Sequence, residues 1–250
     1  MKLPLILLVC TLAFFTPAAQ DVTAMLKEAD RLEAIPNEAA ALAKFKEVLK
    51  IKFTNVHALS KSSELCSRIG QRQTSEKVRD DYYTAAKIYA ETALKIDSTS
   101  SEANASMAIM LGRSTLTKSG KEKVISAKDL KKYVEAAIKY DPNNFLAWHV
   151  LGRWHYEISN LNMIERAAVK VFYGGFPPSS LKESIAAFEK SKALTSGFIL
   201  NYFELARAYH RNNEHVKAKA TLNEMLLLPN HTEDDPALKE KAKKLLKDWE

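Results

Sequence analysis

Two arginines occupy matching places in two copies of one pattern. Arg153 lies five residues after Trp148, and Arg207 lies five after Tyr202. His149 and Phe203 match too, each one residue past the aromatic, and Arg211 stands one helical turn beyond Arg207. A guanidinium offers paired, planar N–H donors that fit a carboxylate bidentately. Arginines repeated at this spacing beside aromatic rings suit an acidic or carboxylate-ended peptide. Their competing use is internal pairing, with Glu157 or Glu204 as partners, a common and weak surface interaction. His149, Arg153, Phe203, Arg207 and Arg211 are therefore the candidate partner-binding residues.

No residue set points to catalysis, so the chain reads as a non-enzyme without cofactor or metal. Of the six histidines, none forms H-E-x-x-H or an i, i+4 pair, and His210 and His215 fit no standard metal spacing. A Gly-rich phosphate loop and a G-x-S-x-G elbow are both missing. Cys66 sits mid-helix among small and polar residues and reads as a buried structural thiol. Lysines cluster at 118–132 and 239–247 without interleaved aromatics. These runs read as solvated helix faces with some attraction to anionic surfaces, not as a nucleic-acid interface. Asn104 and Asn230 begin formal glycosylation sequons, and only Asn230 falls outside a helix pattern.

The elements that must position these residues are helical. Seven Gly and eight Pro in 250 residues leave few tight turns, which excludes sandwiches, barrels and propellers. Apolar residues recur three and four apart, as in Val78, Tyr82, Ala85, Tyr89, Ala93 and Ile96, and no alternating stretch competes. Ser180–Glu183, Ser126–Asp129 and Thr232–Asp235 have capping-box spacing and mark helix starts. About twelve helices and no strand are expected.

The helices repeat. Ala93-Leu94-Lys95-Ile96-Asp97 is echoed by Ala137-Ile138-Lys139-Tyr140-Asp141. Phe53, Ser98, Pro142, Ser196 and Asn230 close successive units at spacings of 45, 44, 54 and 34. The last equals one tetratricopeptide period, and the others add insertions to it. Small Gly152, Ala206 and Ala218 would let paired helices approach, while Trp148, Leu151, Tyr202 and Leu205 fill between pairs. The expectation is an all-α, tetratricopeptide-like solenoid whose concave face carries the arginines. Its last helix, with Leu238, Leu245 and Trp249, would cap the open end. The longest insertion holds an amphipathic helix with Met163, Ile164, Ala167, Ala168, Val171 and Phe172 on one side, ended by Gly174-Gly175. It reads as a packing helix covering the groove side or a helix edge; the alternative is a lid or docking surface.

The amino terminus reads as a targeting segment. Lys2 precedes the uncharged stretch Leu3–Phe15, then the small residues Thr16-Pro17-Ala18-Ala19. Thirteen apolar residues are fewer than the roughly 20 a spanning helix needs, so residues 1–20 read as a signal peptide and 21–250 as the repeat domain. The alternative is a retained anchor. Loss of Lys2 and Cys10 lowers the formal charge from +7 to +6 and leaves Cys66 alone, so no intrachain disulfide could form. No later stretch is long and apolar enough to span a bilayer, so the mature chain is expected not to be transmembrane.

The stretch from Asp141 onward resembles a specific family. It holds Leu151-Gly152-Arg153-Trp154-His155-Tyr156, Phe172-Tyr173-Gly174-Gly175-Phe176-Pro177-Pro178-Ser179-Ser180, Leu227-Leu228-Pro229 and His231-Thr232-Glu233-Asp234-Asp235. Together these look like the regulator of microtubule dynamics family of tetratricopeptide-like solenoids. The resemblance implies microtubule, spindle-pole and membrane associations, with tubulin as a partner. The amino-terminal segment points instead to an exported, bacterial-type relative, periplasmic or secreted. Two readings follow. The first is an exported, non-enzymatic scaffold that holds a protein or peptide on its concave face. The second is a microtubule-associated protein, anchored to a membrane or cytoplasmic.

Overall fold

A computed structural model describes residues 17–114 and 120–249, and among these there are twelve helices and no strand. In chain order they are α1 (Pro17–Glu33), α2 (Glu38–Ile51), α3 (Val56–Gln71), α4 (Glu76–Ile96), α5 (Ser101–Ser114) and α6 (Gly120–Tyr140). They continue with α7 (Phe145–Ser159), α8 (Met163–Tyr173), α9 (Leu181–Leu194), α10 (Ile199–Arg211), α11 (His215–Leu227) and α12 (Asp235–Asp248). The expected boundary at residue 20 falls within α1, and most of the segment read as a signal peptide lies outside the described residues.

The helices pack as antiparallel pairs: α1 with α2, α3 with α4, α5 with α6, α7 with α9, and α10 with α11. The first helices of successive pairs also touch, α3 on α5, α5 on α7 and α7 on α10. That stacking is the solenoid pattern, with these first helices forming the inner layer. The insertion α8 interrupts the fourth pair without joining it.

Close approach within pairs follows from small residues. A Cβ added to Gly152 would stand 2.7 Å from the Phe188 ring, and one at Gly70 would stand 2.8 Å from Tyr82 Cβ. Ala206 and Ala218 are fully buried. The approach also lets buried hydroxyls reach the neighbouring helix. Ser63 Oγ donates to the Ala86 carbonyl at 2.8 Å, Ser101 to Ala137 at 2.8 Å, and Ser184 to Gly152 at 2.8 Å. Each such bond satisfies a hydroxyl that burial would otherwise leave unpaired. Cys66 is buried as expected, and burial pushes its thiol up to about 11.

The capping signals divide. Ser180 Oγ accepts from the Glu183 N–H at 3.1 Å and starts α9 as expected. Ser126, read as a helix start, is buried inside α6 because the helix begins earlier, at Gly120. At 232–235 the roles reverse. Asp235 is the first residue of α12, and its carboxylate reaches back to accept from the backbone of His231 and Thr232 at 2.8 and 2.7 Å. Helix α12 packs on α10 and α11, and Trp249 stacks on His210 with centroids 4.1 Å apart.

The stack does not stay open. The segment before α12 reaches the first pair, where Glu38 N–H donates to Glu233 Oε1 at 3.1 Å. Arg72, at the end of α3, pairs with Glu233 at 3.2 Å and Asp234 at 3.3 Å. His231 Nδ1 stands 3.3 Å from the Ala34 carbonyl. The two ends of the solenoid are thus in contact, and the concave face is the inside of a closed curve.

Inner helices are also joined by charge. His57 on α3 lies between Asp30 of α1, 2.8 Å from Nε2, and Glu102 of α5, 3.0 Å from Nδ1. The Glu102 contact, against the cost of burial and helped by Asp30, raises the imidazole from 6.5 to about 9. A folded pKa above the unfolded one stabilises fully below the unfolded value and loses that stabilisation as pH rises through the folded one. The melting temperature lost in His57→Gln should therefore be largest near pH ~6 and vanish above pH ~9, measured by paired thermal melts across that range.

Candidate functional site on the inner face

Arg153 on α7 and Arg207 on α10 come together, as their matching positions imply. They share one carboxylate: Arg153 stands 3.7 Å from Glu204 Oε1, and Arg207 Nη1 donates to Glu204 Oε2 at 2.9 Å. Arg153 also lies 3.7 Å from Glu157. Glu204 is buried, whereas the Arg153 and Arg207 side chains remain 41% and 36% exposed. Contacts of 3.7 Å at that exposure are worth only about 0–1 kcal/mol.

Tyr156 organises the other half of the cluster. The Arg207 and Arg211 guanidinium groups lie 5.2 and 5.0 Å from its ring centre. Arg211 also donates to the Tyr156 carbonyl at 3.0 Å. Phe203 is buried beneath Arg207, with the guanidinium 6.0 Å from its ring centre. Cation–ring contacts of this kind orient a guanidinium plane without consuming its N–H donors. Burial opposes the Arg207 charge, but Glu204 and Tyr156 outweigh it and raise its pKa. Arg153, Phe203, Arg207 and Arg211 thus form one patch in which Arg153 and Arg207 share the buried Glu204, Glu157 borders Arg153, and Arg211 is held by Tyr156.

His149 does not join them. It is buried between α7, α9 and α10, with Nδ1 3.0 Å from Asn201 Oδ1 and its ring 4.8 Å from Phe198 and 5.5 Å from Phe188. Burial first, then Arg153, pushes its pKa down to about 3, so the imidazole is neutral and donates to Asn201. His149 faces the next pair, whereas the equivalent Phe203 packs against Arg207. The expectation that His149 lines the concave surface is corrected.

Two further arginines belong to the inner face and escaped the spacing argument. Arg113 ends α5, touches the Gln71 side-chain oxygen, and has Arg68, Asp234 and Arg153 as charged neighbours. Burial lowers its pKa to about 10, which still leaves it charged at neutral pH. Arg68 lies one turn before Arg72 on α3 and pairs with Glu33 at 2.8 Å. A compositional signal could have found both. The helices α3, α5, α7 and α10 carry five of the nine arginines and only one of the 28 lysines, Lys61. Lysines are nearly absent from these four helices, and arginine is enriched on them.

Among the described residues no group of three His, Cys, Asp or Glu is placed to hold a metal ion, and no helix is long and apolar enough to cross a membrane. Asn104 is buried, with its amide donating to the Ser98 and Ser100 carbonyls, while Asn230 is exposed in the loop before α12.

Helix pairs stacked in register around an arginine-lined inner face define a helical-repeat scaffold of the tetratricopeptide type. A crystal structure of a thermophilic tetratricopeptide-repeat protein from Thermus thermophilus superposes with a TM-score of 0.63 at 14% identity, covering 90% of this chain and 98% of that one. The chain belongs to the family described as Regulator of microtubule dynamics protein 1-3, whose profile matches residues 25–250. It is 27% identical over 158 residues to Regulator of microtubule dynamics protein 1 of Caenorhabditis elegans, 63% of this chain and 70% of that protein. It is 24% identical over 238 residues to Regulator of microtubule dynamics protein 3 of Bos taurus, 92% of this chain but 50% of that protein. The chain therefore spans about half the length of the bovine relative.

The placement of His149 has a direct consequence. His149→Ala removes ring packing against Phe188 and Phe198 and strands Asn201. It should destabilise the fold by about 2–4 kcal/mol in urea titration, whereas Arg153→Ala should change stability by less than about 1 kcal/mol.

Proposed function

We propose that the protein is a non-enzymatic scaffold that grips a carboxylate-bearing peptide segment of a partner on its inner face. Arg153 and Arg207 make the principal contacts, with Tyr156 and Phe203 fixing the plane of the Arg207 group and Tyr156 holding Arg211 beside it. The observation that carries this reading is the surplus of guanidinium over carboxylate in the patch, where Arg153, Arg207 and Arg211 stand against Glu157 and Glu204. The Arg153 pairs are long and solvent-exposed, so a second carboxylate can displace them at little cost while gaining paired N–H donors. Arg68 and Arg113 extend the same positive field along the inner layer.

Family membership favours a second version of this reading, in which the partner is a microtubule and the acidic segment a tubulin tail. Co-sedimentation with microtubules that weakens with salt would mark it. The charged start and apolar stretch of residues 2–15 support an exported protein instead. Intact mass of the native protein beginning at residue 19, 20 or 21, in a fraction outside the cytoplasm, would favour export; a full-length chain in the cytosol would favour the microtubule partner.

The binding claim has its own test. A glutamate-rich peptide with a free carboxyl end should bind the protein, and Arg153→Ala with Arg207→Lys, which keeps a cation beside the buried Glu204 but removes the paired N–H fork, should weaken binding by ~10-fold or more with little change in melting temperature. Equal affinity of the double variant, read by titration calorimetry, would remove the inner face from the account.

A further inference from the structure

Helix α8 is built inside out. The insertion was expected to pack its apolar side on the solenoid, yet none of its residues is buried. Met163, Ile164, Val171 and Phe172 are 87%, 82%, 76% and 73% exposed. The half-buried positions are Val169 and Tyr173, on the opposite side. The expectation of a packing helix is corrected: α8 meets the body through Val169, Tyr173 and the Arg166 head group, and turns Met163, Ile164, Val171 and Phe172 to solvent.

This orientation is held by polar contacts at both ends. Arg166 donates to the carbonyls of Leu161, Ile158 and Ser159, each at 3.0 Å, and so caps the end of α7 with a side chain of α8. Lys128 of α6 donates to the Tyr173 carbonyl at 2.5 Å at the other end. An Asn162–Glu165 capping box starts the helix, and Gly174, at φ 73°, ends it with bonds back to Lys170 and Val169. An eleven-residue helix without apolar packing is marginal in water. Here caps and clamps replace that packing and fix which side faces out.

The occupant of the exposed side is indicated by the charges beside it. Lys128, Lys131 and Lys132 border a shallow depression of about 400 Å³ against Gly174–Pro177. Lys131 and Lys132 are paired with Glu135 and Asp129 on their own helix. Among the described residues Lys121, Lys123 and Lys170 have no carboxylate partner. On α6, Lys121, the exposed Ile125, Lys128 and Lys132 recur at helical spacing along the side that meets α8. A convex apolar half-cylinder rimmed by lysines, with Phe172 at one end, matches the pattern of a helix lying in a lipid interface. Lysine stems can cover its flanks while their ammonium groups meet lipid phosphates.

We propose that α8 is a membrane-contact helix, whose Met163–Ile164–Val171–Phe172 face lies in an anionic lipid surface with the α6 lysines at headgroup level. The proposal does not depend on what the inner face binds. A single short helix gives reversible attachment, so binding should need anionic lipid and fall with salt.

The test must separate α8 from the apolar amino-terminal stretch. The full chain, with Cys10→Ser and a nitroxide placed by Val171→Cys, is mixed with phosphatidylcholine vesicles containing or lacking phosphatidylserine. A second sample carries the nitroxide at Lys243→Cys on α12. The proposal predicts that the label at 171 becomes more accessible to oxygen than to a water-soluble nickel chelate, only with phosphatidylserine. The label at 243 stays aqueous, and Ile164→Glu or high salt abolishes the shift. If residue 171 stays aqueous on vesicles that hold the chain, the proposal fails. It also fails if residue 171 becomes immobilised without vesicles while the protein dimerises, since the face then belongs to a second copy.

Discussion

Everything inside the solenoid depends on one buried carboxylate. Glu38, at the first turn of α2, is fully buried, with Arg72 2.5 Å from one oxygen and Arg68 3.6 Å from the other. A carboxylate taken out of water costs several kcal/mol unless cations compensate it. Arg72 meets that need and then reaches Glu233 and Asp234 from the far end of the chain. The same guanidinium therefore ties α2, α3 and the approach to α12 together. Closure fixes the curvature of the stack, and curvature brings Asp234 and the arginines of α3, α5 and α7 into one another's fields.

That crowding explains the choice of residue type. Lysine loses its charge readily when desolvated, whereas arginine stays protonated even where burial lowers its pKa. Arg113, which touches the Gln71 side-chain oxygen and no carboxylate among the described residues, illustrates the point. An inner layer built from guanidinium groups remains cationic in a confined space, and its aromatic neighbours Tyr156 and Phe203 hold two of those groups in plane. The outer surface is under no such constraint and carries lysines in ordinary i, i+3 and i, i+4 pairs.

How much of this was legible in the sequence depended on range. The pattern Trp148-x-x-Leu151-Gly152 against Tyr202-x-x-Leu205-Ala206 gave the phase of α7 and α10 and so the pairing of Arg153 with Arg207, because equivalent positions in stacked repeats must face the same way. The expected partners Glu157 and Glu204 are the ones found. His149 was misplaced because a helix in a solenoid packs on two sides, and spacing alone does not say which neighbour claims a position. For α8, periodicity established that one side is apolar but could not say which side faces the body. Hydrophobic burial is the usual arbiter, and here the polar clamps of Arg166 and Lys128 overrule it. Closure of the ends was beyond reach, since it joins residues 195 positions apart through the accumulated twist of five helix pairs.

The most direct measurement of that closure is the distance between the α1–α2 turn and the segment preceding α12. Nitroxides introduced by Ile35→Cys and Asn230→Cys, both exposed, can be read by pulsed electron resonance in a chain where Cys10 and Cys66 are replaced by serine and alanine. A single narrow distribution at the short end of the measurable range is the expected result, broadening when Arg72→Ala is added. A long, broad distribution in the otherwise unaltered protein would mean an open superhelix and would contradict the account.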